Sequence, residues 1–151
     1  MKWFVQLRHM GNNPKISIST EDLHFVENPV VSNQELNELF AVAWQEHAPR
    51  DFQPVLRRSL VYLCAYLEGQ LIGFINLAWD GGFHAFVLDV TVHPNYQRRG
   101  IGVELVRRAA KTATQRGVQC LHVDYESHLD SFYKRCGFQP TNAGLIRVGR
   151  S

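Results

Sequence analysis

A chain of 151 residues, 45% of them hydrophobic and 20% charged, has the size and balance of one globular domain that can bury a core without staples. A formal net charge of +2 is too small to argue for a nucleic-acid or membrane partner, and no apolar run reaches membrane-spanning length. Cys64, Cys120 and Cys136 have no CxxC spacing, and two of them lie in apolar runs, so buried free thiols in a reducing, cytoplasmic compartment are expected.

Residues 1–15 carry mixed polarity and end in the turn sequence Gly11-Asn12-Asn13-Pro14; Gln6, Arg8 and His9 interrupt any signal-peptide-like stretch, and the sequence leaves open whether this extension is ordered. A first strand falls either near Ile16–Ser19 or over Leu23–Glu27. Ser32 with Glu35 three residues on makes a capping box, and Leu36, Leu39, Phe40, Ala43 and Trp44 recur at helical spacing, which predicts a helix to about His47. Pro49 and Pro54 bracket a loop or a short second helix. Strands are predicted over Leu60–Leu67, Leu71–Trp79 and Phe83–Val92, separated by turns so short that the neighbours must be antiparallel. A helix over 101–116 carries Leu105, Val106, Ala109, Ala110 and Ala113 on one face and ends at Gly117. Val118–Tyr125 reads as a strand, Ser127–Cys136 as a short helix, and Phe138–Val148 as a last irregular strand. The order implies an α/β layer architecture, with helices packed on a mixed sheet.

The most informative segment is Gln97-Arg98-Arg99-Gly100-Ile101-Gly102, at the opening of the 101–116 helix. Glycines there let a backbone approach a ligand, and the N–H groups of a first helical turn favour an anion. Arg98 and Arg99 add cationic side chains suited to a polyphosphate. There is no GxxxxGK[ST] run and no GxGxxG followed by an acidic residue about 20 positions on, which argues against a nucleoside triphosphate or a dinucleotide. A second motif, Phe132-Tyr133-Lys134-Arg135-Cys136-Gly137-Phe138, follows the next strand.

With Val90-Thr91-Val92-His93-Pro94 ahead of them, these two motifs resemble those of the GNAT superfamily of N-acetyltransferases, strongly over roughly residues 60–140. The resemblance implies the GNAT fold, a mixed, mostly antiparallel central sheet with helices on both faces. It implies acetyl-CoA as co-substrate and no metal. The pyrophosphate seat would be Gln97, Arg98, Arg99, Gly100, Ile101, Gly102 and Val103, and Val90, Thr91 and Val92 would offer strand backbone to the pantetheine arm. Tyr133 falls where many members keep a tyrosine that protonates the leaving thiolate; otherwise it packs its ring and bonds nearby backbone. The family's usual asparagine seven residues earlier is Glu126 here. Glu126, Asp89, Asp80 and His84 are acid–base candidates, and each also reads as a solvated or capping residue. Strand alternation puts His84, Phe86, Leu88 and Val90 on one face and Asp89 on the other. Leu77–Asp80, Leu88–Val92 and Asp124–Pro140 are similar to a branch that includes plant plastid arylalkylamine acetyltransferases, which likewise lacks the asparagine.

The function expected is direct acetyl transfer to a primary amine of a small molecule or a protein, in a ternary complex and without an acyl-enzyme. The rival is a catalytically silent acyl-CoA-binding module of the same fold, favoured only by Glu126. The seven histidines form no HExxH or other metal-ligand pattern, and the Arg107, Arg108 and Lys111 face reads as solvated rather than as a nucleic-acid patch. Exposed strand edges would permit a homodimer.

Overall fold

The structure, a computed structural model, describes residues 22–149; the alternative first strand at Ile16–Ser19 and the 1–15 extension lie outside them. The elements in chain order are β1 (Leu23–Glu27), α1 (Asn33–Ala43), α2 (Gln53–Leu56), β2 (Val61–Leu67), β3 (Gln70–Trp79), β4 (His84–Val92), α3 (Ile101–Gln115), β5 (Cys120–Val123) and α4 (Asp130–Arg135). Single 3-10 turns, Pro94–Tyr96 and Ser127–Leu129, precede α3 and α4.

The five strands lie in the order β1-β2-β3-β4-β5. The first three pairings are antiparallel, as two short turns require, and Glu68 and Gly69 close the β2–β3 hairpin with both residues left-handed. Helix α3 carries the chain back across the sheet, so β5 runs parallel to β4. Two cores sandwich the sheet. On one face Ile101, Leu105, Val106, Ala109 and Ala113 of α3 meet Leu63, Ala65, Ile75, Leu77 and Val87. On the other, Leu36, Leu39 and Phe40 of α1 meet Phe52, Leu56, Cys64, Leu71 and Phe74. Among the described residues no helix is long and apolar enough to cross a membrane.

The capping box forms in full: the Glu35 amide donates to Ser32 Oγ at 3.1 Å, and Glu35 accepts from the Ser32 amide at 2.9 Å. Several readings differ from expectation. Helix α1 stops at Ala43 rather than His47, because Trp44 turns extended (φ −114°, ψ 132°) and its indole reaches the sheet. The β5 strand shrinks from Val118–Tyr125 to four residues. Phe138–Val148 forms no strand: Leu145, Ile146 and Val148 are exposed and the segment has no ladder partner among the described residues, without which extended backbone is not held. Of the cysteines only Cys64 is buried, and Cys120 is exposed because it sits on the uncovered face of edge strand β5.

One contact joins the two motifs. A Cβ built on Gly102 would stand 3.1 Å from Phe132 Cε2 and 3.6 Å from Val92 Cγ2, so α4 closes onto the start of α3 only over a residue without a side chain. Gly102→Val is therefore expected to destabilise the fold by about 2 kcal/mol. Most of that penalty should vanish in a Phe132→Ala background, a non-additivity that urea denaturation of the two single variants and the double variant would measure.

Candidate active site

The site is organised by a defect in β4. Its register with β3 jumps from Asn76↔Leu88 to Phe74↔Thr91, so Asp89 and Val90 together oppose a single residue, Ile75. Asp89 takes up the extra length in the left-handed region (φ 57°), which aspartate tolerates better than most residues. The bulge inverts the alternation read from sequence. His84, Phe86 and Leu88 are exposed while Ala85 and Val87 are buried, but beyond the bulge Val90 and Val92 pack into the α3 core and Thr91 is buried towards α1. Val90 thus does not share a face with His84. On its other edge β4 pairs with β5 only through His84–Val87, and from Leu88 to Val92 that edge has no strand partner among the described residues. The Val92 carbonyl accepts from Gln97 Nε2, and no strand ladder takes up the other groups of this edge.

Helix α3 begins next to this edge. Gly100, left-handed at φ 82°, is its N-cap, no side chain caps it, and the first helical bond runs from the Glu104 amide to the Gly100 carbonyl at 2.9 Å. A first turn of this kind has amides, those of Ile101, Gly102 and Val103, with no carbonyl of their own helix to bond. The acid of that turn, Glu104, is held by Arg107 and Arg108, both at 2.6 Å, which lower its pKa to about 2 and direct its charge along the helix surface. Two predicted ligand side chains are engaged locally. Gln97 Nε2 donates to the Val92 carbonyl at 3.0 Å, tying the loop to the strand end, and Arg99 lies over the Tyr96 ring and donates to the Asn95 carbonyl. Arg98 adopts a positive φ of 60° between them.

Tyr133 is buried at 6% exposure, its ring stacked on Tyr125 at 4.6 Å and edge-on to Phe132 and Phe138. Burial, with Cys136 and Tyr125 nearby, raises its pKa well above the usual phenol range. Its ring packs as the structural alternative required, but its hydroxyl makes no hydrogen bond to any described residue. The acid–base candidates separate clearly. Asp80 accepts from the Gly82 and His84 amides at 2.7 and 3.2 Å, bonds that lower its pKa, and serves as the clasp of the β3–β4 turn. Glu126 lies 3.2 Å from His128 within the loop that leads into α4. His84, four residues before Leu88, pairs its Nδ1 with His122 Nε2 at 2.8 Å, and His122 stacks on Phe86. Only Asp89 combines burial, with 18% side-chain exposure, and a place at the bulge.

Apart from Thr91, sequence reasoning did not single out as site residues those that surround Asp89. Arg50, in the loop between α1 and α2, reaches Asp89 Oδ2 with one guanidinium nitrogen at 3.3 Å and lies over the rings of Phe52 (4.4 Å) and Phe40 (5.5 Å). Trp44 Nε1 donates to Thr91 Oγ1 at 3.1 Å, and that hydroxyl donates on to the Asp89 carbonyl at 2.9 Å. Asn37 fixes the loop itself: its Oδ1 accepts from the Arg50 amide, its Nδ2 donates to the Arg50 carbonyl, and His47 Nε2 lies 2.8 Å from the same Oδ1. The only sequence signal for this cluster was a proline-bracketed loop after an amphipathic helix. Among the described residues no group of three or more His, Cys, Asp or Glu side chains could hold a metal ion.

A model of the acetyltransferase (GNAT) family matches residues 32–138, a span that contains α1, the bulge, the α3 turn and Tyr133. The uncharacterized N-acetyltransferase ycf52 of Pyropia yezoensis is 25% identical over 126 residues, covering 80% of this chain and 72% of that protein. Serotonin N-acetyltransferase 2, chloroplastic, of Oryza sativa is 32% identical over 111 residues, covering 68% of this chain and 54% of that protein. Among solved structures, a GNAT-family acetyltransferase from Streptococcus pneumoniae TIGR4 superposes with a TM-score of 0.70 at 26% identity, over 85% of this chain and 99% of the other.

The Asn37 clamp yields a prediction of its own. Asn37→Ala should cost about 1–3 kcal/mol through the partly buried backbone groups it strands. Amide exchange should quicken selectively over residues 45–52, as hydrogen-exchange mass spectrometry would show.

Proposed function

Because this chain belongs to the acetyltransferase (GNAT) family, we propose that it is an acetyl-CoA-dependent N-acetyltransferase that passes an acetyl group directly to a primary amine, of a small molecule or a protein, within a ternary complex. We read it as a cytoplasmic enzyme that needs neither a metal nor a nucleic-acid partner. The observation that carries the proposal is the juxtaposition of the open Leu88–Val92 edge with the uncapped first turn of α3. An elongated ligand with amides at one end and a pyrophosphate at the other fits such a pair of surfaces. The amides of Ile101, Gly102 and Val103 hold the pyrophosphate, with the charges of Arg98 and Arg99 beside it. Gln97 acts by holding the loop against the strand end rather than by touching the ligand. Val90, Thr91 and Val92 contribute backbone only, because their side chains are committed to the two cores.

Acetyl-CoA supplies the activated thioester, and the residues of this chain handle the protons. Asp89 takes a proton from the ammonium, directly or through one water, so that the free amine can form the new C–N bond. The open β4 edge offers amides to the oxyanion of the tetrahedral intermediate. As the C–S bond breaks, Tyr133 gives its hydroxyl proton to the thiolate and the newly acylated nitrogen loses its second proton to water. Solvent then returns a proton to Tyr133 and removes one from Asp89. Burial keeps Tyr133 protonated across the neutral range, the state from which a donor to the thiolate must start.

Thiol release from acetyl-CoA across a panel of amines tests the activity. Saturable CoA binding without release from any amine would replace this reading with a silent binding module. Tyr133→Phe is expected to lower kcat by about 100-fold, with the Kd for acetyl-CoA unchanged by calorimetry. An unaltered kcat would take Tyr133 out of the mechanism.

A further inference from the structure

The Arg50–Asp89 contact is poorly built for stability and well built for placement. Only one of the guanidinium nitrogens meets the carboxylate, at 3.3 Å, and Asp89 Oδ1 has no partner among the described residues. Arg50 Nε is buried without a hydrogen bond, so the fold leaves a cationic donor unsatisfied in order to hold this side chain where it is. Its position does not depend on Asp89. The Arg50 backbone is clamped on both sides by Asn37, and its guanidinium rests on Phe52 and Phe40. Asp89 is fixed from the other direction, by the bulge and by the Trp44–Thr91 relay to its carbonyl.

We infer that Arg50 is a positioning residue of the acetyl transfer: from the loop between α1 and α2 it holds the Asp89 carboxylate ionised and oriented at the point where β4 leaves β5, with the second carboxylate oxygen open to the incoming ammonium. This deepens the reading of Asp89 as the group that accepts the amine proton and rests on it. A one-point contact suits that task, because a bidentate pair would occupy both oxygens and depress the basicity that Asp89 needs.

The electrostatics around Asp89 are simple. Burial raises its pKa and Arg50 opposes that rise; no other titratable described residue contributes. On the same loop His47 lies beside Arg50, and burial together with Arg50 lowers its pKa. Trp44 and Thr91, the remaining neighbours from α1 and β4, do not titrate in the working range. Removing the guanidinium leaves burial unopposed, and the pKa of Asp89 must climb. Activity that needs the ionised carboxylate is then lost at a higher pH as the solution is acidified, and is recovered by raising the pH.

The test is the pH profile of kcat/KM for the wild type, Arg50→Met and Arg50→Lys, with acetyl-CoA binding as the control for folding. The acid limb should move up by about one pH unit in Arg50→Met, the size expected for loss of an adjacent opposite charge. It should return most of the way in Arg50→Lys. In parallel, the side-chain carboxyl carbon of Asp89, assigned with Asp89→Asn and followed by ¹³C NMR, should titrate at correspondingly higher pH in Arg50→Met whether or not an amine is present. Loss of activity by the same factor at every pH, or an unmoved carboxyl titration, overturns the inference while leaving the acetyltransferase intact. Absence of turnover in the wild type overturns the parent reading, and this inference with it.

Discussion

Everything at the proposed centre depends on one strand that cannot complete its hydrogen bonding. β4 has β3 along one edge, but β5 along only the first half of the other, through Val87. Backbone groups of a central strand left unpaired away from bulk solvent are costly, and a fold keeps them only where something else will bond them. The bulge at Asp89 sits at the place where β5 departs. It turns Val90 and Val92 towards α3 and Thr91 towards α1, so these three side chains are used for packing, while the outer edge of their backbone has no strand partner among the described residues. Strand, defect and divergence act as one device.

The ends of that device are set by contacts that look merely structural. Gln97 fastens the loop before α3 to the last carbonyl of β4, and the missing side chain at Gly102 lets Phe132 close on the same spot. Phe132 in turn is edge-on to Tyr133, so the glycine of one motif helps place the tyrosine of the other. Glu104 would oppose an anion at the helix start, yet its two arginine partners neutralise it. The positive end of the α3 dipole therefore faces the loop with little local opposition.

Much of the fold was legible in sequence because it is made of regular elements and of residues with narrow conformational roles. The Ser32–Glu35 capping box, the β2–β3 hairpin and the left-handed Gly100 can each be met by only a few residue types. The bulge was not legible. Nothing in Leu88-Asp89-Val90-Thr91 departs from a plain strand pattern, so strict alternation put Val90 on the wrong face. Gly102 was read as letting the backbone approach a ligand, and its contact with an aromatic ring 30 positions away in the chain had no sequence signal. The expected strand at Phe138–Val148 rested on apolar alternation alone, and alternation does not supply a partner.

The loop between α1 and α2 was hidden for a different reason. Arg50, His47 and Trp44 occupy irregular backbone, held by the side chains of Asn33 and Asn37 bonding to loop amides and carbonyls. Asparagine can make such bonds at many spacings, so they carry no period and no motif. The same freedom matters chemically. Regular strand and helix ends present a fixed row of backbone groups, which suits a donor that does not vary. A loop clamped through two asparagines can change in sequence with little disturbance of the sheet, because among the described residues its polar contacts with β4 are two side-chain links, Trp44 to Thr91 and Arg50 to Asp89. One of those links fixes the backbone of the bulge, and the other touches the acid we assign to the amine. With Asp89 as the proposed base, a change in the loop that moves Arg50 also changes the surroundings of that base.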